Sequence, residues 1–327
     1  MADQQQPNIS KEPPQPKSTQ SENESNDLST DELIVSIIRH LKDDKKDNKK
    51  SEELKKDAID KTKLYLKNIT NKHKISDDYN LIILYDEMQM VQQDADLVYA
   101  SITKFKDKKP ILMILKSNGG QIGPAYLIGK LLREYSNGPL EIAVPRAAKS
   151  AATLICCAAD LIHMGSLSEL GPIDPQFNEL PVLGLKIAIK HIAELVSLNP
   201  SATDLFANYM HKSIPPMYLG YYERIAESAV QYAERLLSTH KDKLSNEPSQ
   251  IAHDLVYKYY DHGFVIDKQE ARRIFGDNII KDNSIQYQLG NDIYEILSLI
   301  SWVTSITNNR FYFIGSLESE PKFINKE

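Results

Sequence analysis

The chain has 327 residues, 41% of them apolar and 26% charged, with a formal net charge of −6. That is soluble-globular composition, and the missing basic excess argues against a nucleic-acid partner, whose phosphates would need neutralising. No apolar run approaches the ~18 residues of a membrane span; the nearest, Ile293 to Val303, is short and carries Glu295. The first 28 residues hold four prolines, five glutamines and almost nothing apolar. They cannot bury enough surface to offset their ordering entropy, so a disordered polar tail is expected. Ser29-Thr30-Asp31-Glu32 then has capping-box spacing, followed by Leu33, Ile34, Ile37, Ile38 and Leu41 at helical period. Lys42 to Lys56 mixes seven lysines with five acids and reads as a solvated helix or linker. Residues 29–75 are thus a helical segment and linker ahead of a main domain at 76–315, with 316–327 as a polar tail.

Four unbroken apolar runs of strand length begin at Leu81, Ile111, Leu140 and Leu161. Helical patterns separate them, at about Asp94 to Phe105, Pro124 to Tyr135, and Ser150 to Ala159. Short continuous apolar strands alternating with helices indicate an α/β fold whose parallel sheet is covered on both faces. Beyond residue 180 the pattern is mostly helical: Leu185 to Leu198, Tyr218 to Ser238, Pro248 to Tyr260 closed by Gly263, a short helix capped by Asp267, and Asp292 to Ile306. Phe311 to Ile314 adds a late strand. The two cysteines, Cys156 and Cys157, are adjacent in an apolar run and read as buried small hydrophobes, which fits a cytoplasmic, reducing address.

Two turns carry chemistry. Ser117-Asn118-Gly119-Gly120 follows the second strand, and paired glycines let backbone N–H groups face an oxyanion without Cβ interference. A tight strand-to-helix turn accounts for the same pair. The second is Pro145-Arg146-Ala147-Ala148-Lys149-Ser150-Ala151-Ala152-Thr153. Here Ser150 is either an N-cap, accepting from an N–H two or three residues on, or a nucleophile at a helix mouth that stabilises developing negative charge. The flanking alanines would let a substrate chain approach closely.

The order and spacing of these turns resemble the ClpP and signal-peptide-peptidase group of serine peptidases. The stretch Ser168-Glu169-Leu170-Gly171-Pro172-Ile173-Asp174-Pro175-Gln176, with Ala158-Ala159-Asp160 before it, resembles the serine dehydrogenase proteinase (SDH) family of Clp-fold proteins. So do Tyr222-Glu223-Arg224-Ile225, Glu227-Ser228-Ala229 and His262-Gly263-Phe264-Val265-Ile266-Asp267. The resemblance implies a ClpP/crotonase-type spiral of β-β-α units with helical C-terminal additions, a polypeptide substrate and a homo-oligomer. It implies Ser150 as nucleophile, with Gly119, Gly120 and Ala151 around the oxyanion. At 171–176, where ClpP carries its histidine, this chain has none, and many ClpP-like enzymes have a larger residue and then glycine where Ala151-Ala152 stand.

Three candidates for the base remain. Lys186 and Lys190, 36 and 40 residues past Ser150, suit the lysine of the signal-peptide-peptidase branch, since desolvation can lower a lysine toward neutrality. His262 is the third, with a favourable charge at a helix C-terminus as its other reading. Lys149 should point away from Ser150, Lys212 is an outlying lysine, and His163 sits inside a strand run as a core or edge histidine. No Walker loop or metal-spaced His/Cys set occurs, so no cofactor is expected. The principal expectation is a serine endopeptidase. A catalytically silent Clp-fold scaffold that binds peptides or proteins is the alternative, and crotonase-like acyl-CoA chemistry a third.

Overall fold

The computed structural model describes residues 28–43, 46–75, 77–174, 176–177, 180–213 and 216–326. The N-terminal tail expected to be disordered lies, but for its last residue, outside the described residues. Helix α1 (Thr30–Leu41) opens on the expected capping box, Ser29 and Glu32 each bonding the other's backbone N–H. Helix α2 (Asn48–His73), capped by Asp47, takes the helical side of the helix-or-linker expectation and runs for 26 residues. Its Ala58, Ile59, Thr62, Leu66 and Thr70 are buried, a narrow stripe that its lysine-rich outer face obscured.

Then come β1 (Asn80–Asp86), α3 (Gln92–Ile102), β2 (Ile111–Ser117), α4 (Ile122–Tyr135) and β3 (Leu140–Val144). Short β4 (Ala147–Ala148) leads into α5 (Ala151–Cys156), then β5 (Leu161–Met164) and β6 (Glu169–Leu170). Strands β7 (Gln176–Phe177) and β8 (Leu180–Pro181) form a separate hairpin. Helices α6 (Val182–Leu198), α7 (Thr203–Ser213), α8 (Pro216–Leu237), α9 (Pro248–Tyr257) and α10 (Lys268–Phe275) follow. The chain returns through β9 (Ile280–Lys281), α11 (Ile285–Ile306), β10 (Asn309–Gly315) and β11 (Lys322–Asn325). Helix α11 starts well before the expected Asp292, because Ser284 accepts from Tyr287 N–H and caps it. Strand β11 occupies part of the stretch expected to be a polar tail, paired antiparallel with β10.

The strand order is β11-β10-β1-β2-β3-β5-β9, with β1, β2, β3, β5 and β9 mutually parallel and β10 antiparallel at β1. Successive strand residues point to opposite faces, and both faces are packed. Ile82, Leu84, Met113, Leu115, Ile142 and Val144 join the core under α3, α4, α5, α8 and α9. Leu81, Ile83, Tyr85, Leu112 and Ile114 face α1, α2 and α11. That double burial is why the strands read as unbroken apolar runs. Cys156 and Cys157, at the end of α5, are buried in the first core. Among the described residues no helix is long and apolar enough to cross a membrane.

Off the main order, β4 pairs with both β2 and β6 through Ser117↔Ala148 and Ala147↔Glu169. This small excursion sets the Ser150 turn beside the Gly119-Gly120 turn, at the carboxyl ends of the parallel strands, where open α/β sheets bind their ligands.

Candidate active site

Ser150 sits at φ 50°, ψ −117°, between β4 and α5. Ala152 N–H donates to Lys149 O at 2.8 Å, so the turn is type II′ with serine where glycine is favoured. A side chain there costs about 1–3 kcal/mol. This geometry overturns the N-cap reading: the Ser150 side chain makes no capping hydrogen bond. The helix behind it is also shorter than the expected Ser150 to Ala159. Thr153 anchors it, its buried hydroxyl reaching Ala148 O at 2.7 Å and Gly171 O at 2.8 Å and accepting from Gly171 N–H.

The glycine turn is built against this serine. Gly119 has φ 95°, and a Cβ on it would lie 2.6 Å from Lys149 O and 2.8 Å from Ser150 Cβ. Its own N–H donates to Ser117 Oγ at 3.1 Å, so Gly119 contributes shape. Gly120, at φ 149°, forms a parallel bridge with Met90, using Met90 N–H to Gly119 O and Gln121 N–H to Met90 O. That pattern leaves the Gly120 N–H turned away from Met90. Ala151, first residue of α5, has no intrahelical acceptor for its N–H. Among the described residues neither of these two N–H groups meets an acceptor.

A cavity of about 560 Å³ opens over both turns, lined among others by Asn118, Gly120, Ile122, Ser150, Ile225 and His262, with Asp174 at its base. Its rim, Glu87 to Gln89, is held in place. Asp86 accepts Met88 N–H at 2.9 Å and pairs with Arg310 at 2.6 and 2.7 Å, while Asn118 Nδ2 donates to Glu87 O at 2.8 Å.

His262 lies five residues beyond the end of α9, which closes at Tyr257, short of the expected Tyr260. It therefore does not act at a helix C-terminus. It occupies a turn in which Phe264 N–H donates to Asp261 O and Gly263 N–H to Asp261 Oδ1, both at 3.0 Å. His262 Nδ1 stands 3.9 Å from Oδ2 of buried Asp174. Burial holds the imidazole below its ordinary value of 6.5, against the hydrogen bond to the Asp174 backbone and the charge of Asp261. The two segments are laced together by reciprocal hydrogen bonds between Leu170 and Ile266 and by Ile173 N–H to Leu255 O at 2.8 Å.

Of the candidate residues, the cavity gathers Ser150, Gly119, Gly120 and His262, with Ala151 directly behind Ser150. Lys190 is exposed on α6 and is not among the described lining residues; Lys186 shares that helix, and its side chain lies outside the described residues. Lys149 points away from the cavity, as expected, pairing with Glu169 at 3.0 Å. His163 is buried between strands, as expected. Sequence reasoning did not single out Asp174, which the structure sets beside His262. Its signal was present, a lone acid between prolines inside a stretch already singled out.

The family model described as ClpP-like SDH-type serine proteinase matches residues 34–315. Two uncharacterized proteins of Methanocaldococcus jannaschii are similar, one 33% identical over 98 residues and the other 27% over 151. These alignments cover 30% and 45% of this chain, which spans 34% and 50% of the curated relatives it matches. Two solved structures of mutants of a 1510-N membrane-bound stomatin-specific protease, one with a substrate peptide bound, align with TM-scores of 0.40. They share 17% and 16% identity, covering 68% and 76% of this chain and 85% and 88% of their own.

Proposed function

Because this chain belongs to the ClpP-like SDH-type serine proteinases, we propose that it is an endopeptidase in which Ser150 is the nucleophile and His262 the base. The observation that carries this is the convergence of Ser150, Gly120 and His262 on one cavity. A serine hydroxyl needs a base to remove its proton. His262, held below 6.5 by burial, is neutral at pH 7 and able to accept one. Its Nδ1 is toward Asp174, which orients the ring and leaves Nε2 for the hydroxyl.

The reaction follows from these roles. Ser150 Oγ bonds to the peptide carbonyl carbon as its proton passes to His262. The resulting oxyanion takes the Gly120 and Ala151 N–H groups. The C–N bond then breaks, the proton moves from His262 to the departing amine, and an acyl-serine ester remains. Water attacks the ester, giving one proton to His262, and Ser150 Oγ leaves with that proton; the product departs as a carboxylic acid, which loses its remaining proton to solvent. The 3.9 Å separation between Nδ1 and Asp174 exceeds hydrogen-bond length, and such contacts commonly tighten only when substrate binds.

The pH dependence of kcat/KM and of labelling by a fluorophosphonate probe tests the base. A group must be neutral to act as base, so activity is present above its pKa and lost as pH falls through it. With His262 that loss comes below pH 6.5. A rise confined to alkaline pH would instead assign the role to Lys186 or Lys190. Absence of labelling in the wild type would favour the peptide-binding scaffold.

A further inference from the structure

We propose that Lys149 is a positioning residue for this site: its ammonium clamps the turn carrying His262 onto the turn carrying Ser150. The inference rests on the assignment of His262 as base. A lysine ammonium has three donors, and Lys149 Nζ meets three acceptors: Glu169 Oε2 at 3.0 Å, Leu170 O at 3.3 Å and Phe264 O at 3.3 Å. Phe264 closes the turn that holds His262. Leu170 and Glu169 belong to β6, which pairs with β4 directly ahead of the nucleophile. Lys149 itself is the first residue of the type II′ turn. One side chain, only 18% exposed, thus spans nucleophile turn, neighbouring strand and base turn.

The stem is accommodated by design of the backbone opposite. A Cβ on Gly171 would lie 2.7 Å from Lys149 Cδ and 3.4 Å from its Cα, closer than side chains pack. Glycine at 171 is therefore the complement of lysine at 149. An isolated ion pair with Glu169 would contribute little; the two carbonyls from separate segments give the contact its geometric consequence.

Lys149 also acts on His262 through charge. The charged groups around the imidazole are Asp174, 3.9 Å from Nδ1, Asp261 in its own turn, Glu87 in the lining of the same cavity, and Lys149, whose charge reaches the ring although its side chain points away from the cavity. Lys149 is the one that opposes protonation, reinforcing the effect of burial.

The test uses the full chain with Lys149→Met, Lys149→Arg and Gly171→Ala, measuring kcat, KM and the pH dependence of fluorophosphonate labelling. Lys149→Met should lower kcat about tenfold or more, as misplacement of reacting groups does, with KM within about twofold of wild type. Its acid limb should move to higher pH. Lys149→Arg should recover most of kcat and return the limb. Gly171→Ala, which crowds the stem but keeps the charge, should lower kcat with the limb unmoved. A wild-type labelling rate and limb in Lys149→Met overturns the proposal, as does a loss that Lys149→Arg fails to recover. Should Lys149→Met not fold, a wild-type labelling rate in Gly171→Ala overturns it. The assignment of the base fails separately, if His262→Ala labels at the wild-type rate.

Discussion

Of the described histidines that stand beside a carboxylate, His163 and His262 make the sharpest contrast, and of this pair His262 is the one that lines the cavity. His163 is 2% exposed, with Nε2 at 2.9 Å from Glu141 and Nδ1 at 2.8 Å from Ser284 Oγ. By distance alone that is a better serine–histidine–acid set than the one around Ser150. Every member, however, has another task. Glu141 accepts from Tyr79 OH at 3.0 Å, and Ser284 caps α11. The network ties β3 and β5 to α11 and has no route for a substrate. His262 has looser contacts, a 3.9 Å approach to its acid, and a place on the cavity wall. Satisfied polar groups rigidify a core, whereas a reacting group needs access and an unfinished set of contacts.

Exchanging the fates of these histidines tests the contrast. On the proposed mechanism His262→Ala lowers kcat/KM by about 10³- to 10⁴-fold with little change in the denaturation midpoint. A retained kcat/KM would place the base elsewhere. Gly120→Ala comes next. Its Cβ would lie 2.2 Å from Met90 N, so the bridge must shift and an oxyanion donor is displaced, a loss of about 10²- to 10³-fold in kcat, read by peptide turnover on folded protein. His163→Ala should act the other way round. It leaves Glu141 Oε2 without its partner while Tyr79 OH still holds Oε1, costing about 1–3 kcal/mol in a urea melt, while the folded fraction labels at the wild-type rate. Smallest in its effect on stability is Ser150→Gly, which should raise it by about 1 kcal/mol, because glycine adopts this backbone without strain, while abolishing labelling. A loss of stability would mean that the serine side chain supports the turn.

What was legible in the sequence follows the same division. The parallel strands and the two turns were plain because double burial writes an unbroken apolar run, and because glycine pairs and small residues mark close backbone approach. Helix α2 was legible only as a helix or linker, since its buried stripe is narrow and its lysines dominate composition. The start of α11 was hidden by polar residues and Gly290 ahead of the apolar stretch. Ser150 could not be distinguished from a cap, because both tasks put serine ahead of a helix. The difference lies in a backbone angle. The partnership of Asp174 with His262 joins segments 88 residues apart, and only the Leu170–Ile266 and Ile173–Leu255 pairings reveal it.

The adjacent cysteines on the helix behind Ser150 have a practical consequence. Cys156 and Cys157 are the chain's two cysteines, and burial drives both thiols far above the usual range. Reagents that attack thiolates will pass them by. A Ser150→Cys chain would therefore carry a single addressable sulfhydryl, at the one spot where a tethered peptide would report the shape of the groove.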